Sequence, residues 1–115
     1  MAEPTVFIPN IPTRYDAISG EHVTALDLNP AARYGRLVPM VKGPVRNMTE
    51  AIAEVRASVA EALPGDYLLV VGDVLLMVVA MVGVAERCGG HVRTLRWDRE
   101  RRAYDVVEVD LWQTK

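Results

Sequence analysis

The sequence predicts an α/β fold: one domain, 1–115, with a mixed sheet of about five strands, two main helices and a C-terminal antiparallel hairpin. Three observations predict it. Residues 67–72 (YLLVVG) form an apolar run of strand length, which Gly72-Asp73 separates from a twelve-residue apolar run of helix length at 74–85. A further strand pattern at 91–97 (HVRTLRW) completes a strand–helix–strand unit, and polar DRERRA joins it to another at 104–111 (YDVVEVDL). Finally, 115 residues that are 50% apolar and 24% charged suit one globular domain with a core of its own.

The elements follow in order. Thr5–Ile8 (TVFI) is rich in β-formers and is closed by Pro9, so it reads as a short strand. Residues 11–28 read as an irregular loop, because Pro12, Ser19-Gly20 and scattered polar residues leave no clean period. Asn29-Pro30 is a helix start, with Asn as N-cap and Pro at the first helical position; Gly35 stops the helix after about one turn. Residues 36–41 (RLVPMV) read as an edge strand, since Pro39 cannot donate to a ladder. After a connector at 42–47, Thr49 is placed to cap a helix whose first turn holds Glu50. Ile52, Val55, Val59, Ala62 and Leu63 recur at helical spacing opposite Glu50, Glu54, Ala57 and Glu61, and Pro64-Gly65-Asp66 ends the helix.

The run 67–72 has the pattern of a strand covered on both faces. Asp73 then caps a helix through about Cys88, and Gly89-Gly90 supplies a left-handed exit. The stretch 74–85 has no polar face, so it must be buried all round. In so small a chain the sheet covers one side and the first helix another. The rest is expected to meet a second copy, making a homodimer with Leu75, Met77, Val78, Met81 and Val82 at its interface. A strand, a crossover helix and a strand imply a parallel pair. The terminal hairpin adds an antiparallel edge, with Val107, Val109 and Leu111 facing one way and Glu108 and Asp110 the other.

Composition narrows the functions. A formal charge of −2 gives no global reason to favour nucleic acid or an anionic membrane. The single cysteine, Cys88, excludes an intrachain disulfide and a cysteine-based metal site, and suits a reducing cytoplasm. The first residues, MAEPTVFIPN, lack the basic and long apolar regions of a signal peptide. The apolar stretch 67–85 approaches spanning length, but Asp73 lies well inside it, where a carboxylate costs about 2.5–3.5 kcal/mol. No membrane partner is expected.

Two places are candidate sites. The first is a ligand-binding position at Asn10, Gly72 and Asp73, where strand ends meet a helix start, as ligands do in open α/β sheets. A phosphate loop there wants bare glycines, whereas a single Gly is followed by an acid. Asp73 is read first as a helix cap. The second is the hairpin, where Arg93, Arg96, Arg99, Arg101 and Arg102 against Asp98 and Glu100 leave a local charge of +3 beside Trp97 and Tyr104. Such a ribbon grips phosphates, stacks on bases or meets an acidic partner protein. Alternatively, Asp105, Glu108 and Asp110 pair across with Arg93 and Arg96. His22, His91 and Cys88 stand in no ligand or nucleophile spacing, no catalytic signature is present, and no metal or cofactor is implied. The chain leans away from an enzyme.

The motifs FIPN, ARYGRLVPMV, GDYLLVVGD and GGHVRTLRWDRERRAYDVVEVDL, in that order, resemble a family of small proteins encoded by tailed bacteriophages. That family has no assigned activity, so the resemblance transfers no functional residue. It implies an infected bacterial cytoplasm as the setting. Three functions stay open: a non-enzymatic interaction protein engaging a host or defence component; a Rossmann-like, nucleotide-type ligand binder acting as a dimer; and a nucleic-acid accessory protein using the arginine hairpin.

Overall fold

The computed structural model describes residues 3–24 and 27–112. Its centre is a five-stranded sheet in the order β4-β1-β5-β6-β7. Strand β1 (Thr5–Ile8) pairs in parallel with β4 (Arg36–Pro39) on one side and β5 (Tyr67–Leu69) on the other. Strand β6 (His91–Asp98) continues parallel to β5, and β7 (Ala103–Asp110) closes the sheet antiparallel to β6. Mixed pairing and the terminal hairpin follow the sequence expectation. Pro39 does lie on an edge strand. The Arg36 and Met40 amides donate inward to the Pro4 and Ile8 carbonyls (2.9 and 2.8 Å), so alternation turns position 39, which has no amide, to the open edge.

Both faces of the sheet are covered. Helices α1 (Met48–Val59) and α2 (Val74–Arg87) lie over one face, where Phe7, Val55, Leu68, Leu76, Ala80 and Val92 are buried together. A 3-10 helix (Asn29–Tyr34) covers the other, over Val6, Ile8, Leu69, Leu95 and Tyr104. Successive residues Leu68 and Leu69 thus serve opposite cores, which is why this strand carries no polar position. Each such fully buried side chain contributes about 1.5–3 kcal/mol relative to exposure. Tyr34 ties the second layer down: its hydroxyl donates to the Tyr104 carbonyl (3.0 Å), and its ring lies 5.5 Å from that of Tyr67.

Several expectations need correction. The segment 11–28, expected to be irregular, contains a separate two-stranded sheet of β2 (Thr13–Asp16) and β3 (Glu21–Thr24); residues 25 and 26 of it lie outside the described residues. The first cap is not Asn29. That residue is already helical, its amide is taken by Asp27 Oδ1 (2.9 Å), and Leu28 occupies the cap position. Asn47 rather than Thr49 caps α1, accepting from the Glu50 amide (3.1 Å), so the helix begins earlier and ends at Val59. Leu63 therefore falls beyond the helix and is exposed, while Ala51 takes a core place. Strand β5 stops at Leu69 rather than Gly72, because the Val71 amide turns back onto the Leu69 carbonyl (3.0 Å).

Asp66, expected only to help end the helix, also joins layers: it accepts from the Thr5 amide through Oδ1 and from the Leu63 amide through Oδ2, both at 2.9 Å. The left-handed exit from α2 is present, with Gly89 at φ +66° and Gly90 at φ +90°. No helix among the described residues is long and apolar enough to cross a membrane.

Candidate functional site

The structure brings Asn10, Gly72 and Asp73 together at the carboxyl ends of β1 and β5. Between these strands the connections run off in opposite directions, the place where open α/β sheets gather ligands. The local bonding fills it. Asn10 Oδ1 accepts the Asp73 amide (2.7 Å), and Asp73 Oδ1 accepts the amides of Leu75 (2.9 Å) and Leu76 (3.3 Å). Three of the amides that could serve a phosphate, those of Asp73, Leu75 and Leu76, are thereby taken, and a carboxylate stands over the helix N-terminus. Gly72 is required here for two reasons: its φ is +95°, and a Cβ would lie 2.2 Å from Asn10 Oδ1. The arrangement is that of a capped, closed turn.

The hairpin arginines do not share a surface. Alternation along β6 places Arg93 and Trp97 on the face of the 3-10 helix and Arg96 on the helical face, while Arg99, Arg101 and Arg102 lie in the connecting turn. Arg93 Nε bonds Glu108 Oε1 (3.3 Å), with its guanidinium over the Tyr67 ring. Arg101 is held by Asp98 (2.9 Å) and by Asp105. Asp105, directly opposite Arg96, is thus claimed by Arg101; the expected Arg96 pairing does not form. Arg96, Arg99 and Arg102 have no carboxylate partner among the described residues. Trp97 packs edge-on against Tyr104, centroids 4.9 Å apart.

His91 is less isolated than its sequence neighbours suggest. Its Nδ1 is 2.7 Å from Asp110 Oδ1 and its Nε2 is 3.1 Å from Glu108 Oε1. An acceptor at each ring nitrogen requires a proton on both, so these bonds, to Asp110 first and then to Glu108, raise the imidazole pKa. Bonds from His91 and Arg93 lower that of Glu108 in return. The Cys88 thiol is pushed up by partial burial and by Asp66, away from nucleophilic character. Among the described residues no group of three or more His, Cys, Asp or Glu side chains is placed to hold a metal ion. The side chain of His22 lies outside the described residues.

The remaining candidate is the surface of α2. Its inner side buries Leu76, Ala80, Val84 and Ala85. Its outer side leaves Leu75 48%, Val78 52% and Val82 46% exposed, while Met77 and Met81 are half-buried. Val78 and Val82 also form one wall of a groove of about 820 Å³ between the helices, opposite Arg56, Val59 and Ala60, with Glu86 and Arg87 at one end. Gly83 lets α1 approach closely there, since a Cβ would lie 2.9 Å from both methyls of Val59.

Sequence reasoning missed the contribution of α1 to this groove and missed the β2–β3 hairpin. The first has no signal in sequence, because it depends on which faces of two helices meet. The second has a faint one: two four-residue segments flank a turn ending in Ser19-Gly20.

No curated protein and no solved structure matches the chain. One family model does, over residues 4–111, from before β1 to the end of β7. By that match over nearly its whole length, the chain belongs to the Phage Pam3 gp32-like protein family.

Proposed function

We propose that this phage-family protein is a non-enzymatic interaction module that associates with a second copy of itself through the outer face of α2. The observation that carries the reading is the stripe of Leu75, Val78 and Val82, exposed on a helix with no polar residue between Val74 and Ala85. Single exposed apolar residues are ordinary, but a contiguous stripe continuing into a groove is the mark of an interaction surface. Both charge signs border it, Arg56 and Arg87 with Glu86, which suits the mixed-sign surface of the same chain.

Val78→Asp tests the reading, because it places a charge on the stripe without touching the residues packed on the sheet. Wild type at micromolar concentration is expected to sediment as a dimer and the variant as a folded monomer. A wild-type monomer would defeat the proposal.

A second reading is nucleic-acid binding by the hairpin, favoured by the three arginines without carboxylate partners, Arg96, Arg99 and Arg102. It requires binding that weakens steeply with salt and is lost when those three are replaced together. A nucleotide site at the ends of β1 and β5 draws no support from the closed turn at Asn10, Gly72 and Asp73.

A further inference from the structure

The β2–β3 hairpin stands apart from the main sheet. Among the described residues its strands pair with each other and join no other sheet. From residue 13 to residue 21 every position is exposed except Asp16, which is half-buried. A lone two-stranded hairpin is marginal in water, so an arm of this kind gains its stability from whatever it packs against.

Its tip is constructed around one apolar residue. The Gly20 amide donates to the Asp16 carbonyl (2.8 Å), the Ile18 amide to Asp16 Oδ1 (3.0 Å), and the Glu21 amide to Ser19 Oγ (3.3 Å). These bonds satisfy the turn and hold Ile18 outward at 98% exposure, the most exposed large apolar side chain among the described residues. Asp16 and Glu21 flank it, so the tip is an apolar knob between two acids.

The groove between α1 and α2 is the counterpart on the same chain. Its walls are Val59, Val78 and Val82, and its charged residues are Arg56 and Arg87 against the single acid Glu86. Neither arginine has a carboxylate partner among the described residues, although Arg87 reaches the Ala62 carbonyl at 3.4 Å. An acidic tip bearing an isoleucine and an apolar groove with a basic surplus complement each other in both charge and polarity.

We infer that the β2–β3 arm of one copy docks in the α1–α2 groove of a second, Ile18 against Val78 and Val82, so that each copy gives an arm and receives one. The inference rests on the self-association proposed above and names the segment that covers α2. It makes the contact an exchange of unlike surfaces rather than α2 against α2.

Cysteine pairing separates the two arrangements. In a Cys88→Ala background, Ile18→Cys protein and Val82→Cys protein are mixed, oxidised mildly and run without reductant. The arm arrangement predicts a covalent pair in the mixture and little in either protein alone. A pair formed by Val82→Cys alone, with none added by mixing, would overturn the arm arrangement while leaving self-association standing. Ile18→Asp, a change at an exposed turn that leaves the core intact, is expected to weaken dimer formation at least tenfold with unchanged circular dichroism. An unchanged dimer in Ile18→Asp, beside a monomeric Val78→Asp, would also overturn the inference but not the reading it rests on. A monomeric wild type would remove both.

Discussion

Asp73 shows what a carboxylate does at the mouth of this sheet. It accepts two helix amides through one oxygen, while its own amide is taken by Asn10. If capping is its role, Asp73→Ala costs about 1 kcal/mol in urea unfolding and Asp73→Asn costs much less, because Asn caps about as well. Equal losses from both changes would point to a need for the charge itself. Gly72→Ala is expected to cost more, about 2 kcal/mol or above, since it combines a left-handed backbone with a clash against Asn10. Capping by Asp73 was legible in the sequence, because Gly-Asp before an apolar run has few other meanings. The role of Asn10 was not, because its bond spans 63 positions.

His91 gives the hairpin a pH dependence of definite sign. Its pKa is raised in the folded chain by bonds to Asp110 and Glu108, so its contribution is complete below the ordinary histidine value and fades as pH rises through the raised one. Glu108 is lowered by His91 and Arg93, so its contribution holds above the ordinary carboxylate value and is lost as pH falls through the lowered one. The cluster is therefore tightest between about pH 4.3 and pH 6.5. An NMR titration should place His91 above about 6.5, and replacing both Asp110 and Glu108 with their amides should bring it down. A His91 pKa at or below the ordinary value would contradict the geometry.

At the scale of elements, the five strands of the main sheet were legible because each is a run of β-branched or apolar residues bounded by Pro, Gly or charge. The arm was not, for the same physical reason: no described side chain of TRYD or EHVT joins either core, and the two segments carry no apolar alternation to read. The end of α1 was misplaced because Ala62 does pack in the core although the helix has stopped at Val59; burial continued past the hydrogen bonding. It follows that replacing residues 13–24 with a short flexible linker should leave the body intact. Compared in a Val78→Asp background, so that both are read as monomers, the truncation should change unfolding free energy by no more than about 0.5 kcal/mol, the range of surface changes. A loss of several kcal/mol would mean that the arm braces its own chain.

At the scale of the molecule, the two cores use opposite faces of one sheet, and the described residues leave part of the apolar surface of α2 uncovered. The sequence showed that 74–85 is apolar all round. It could not show that Leu75, Val78 and Val82 are the residues left outside, with Met77 and Met81 half-covered, because that is decided by where α1 and the sheet press against the helix. Sedimentation equilibrium of the wild-type chain at micromolar concentration is the decisive experiment for self-association through that face. The expected mass is twice the chain's 12.7 kDa, falling to that of a single chain in Val78→Asp; a wild-type mass of one chain across that range would rule self-association out.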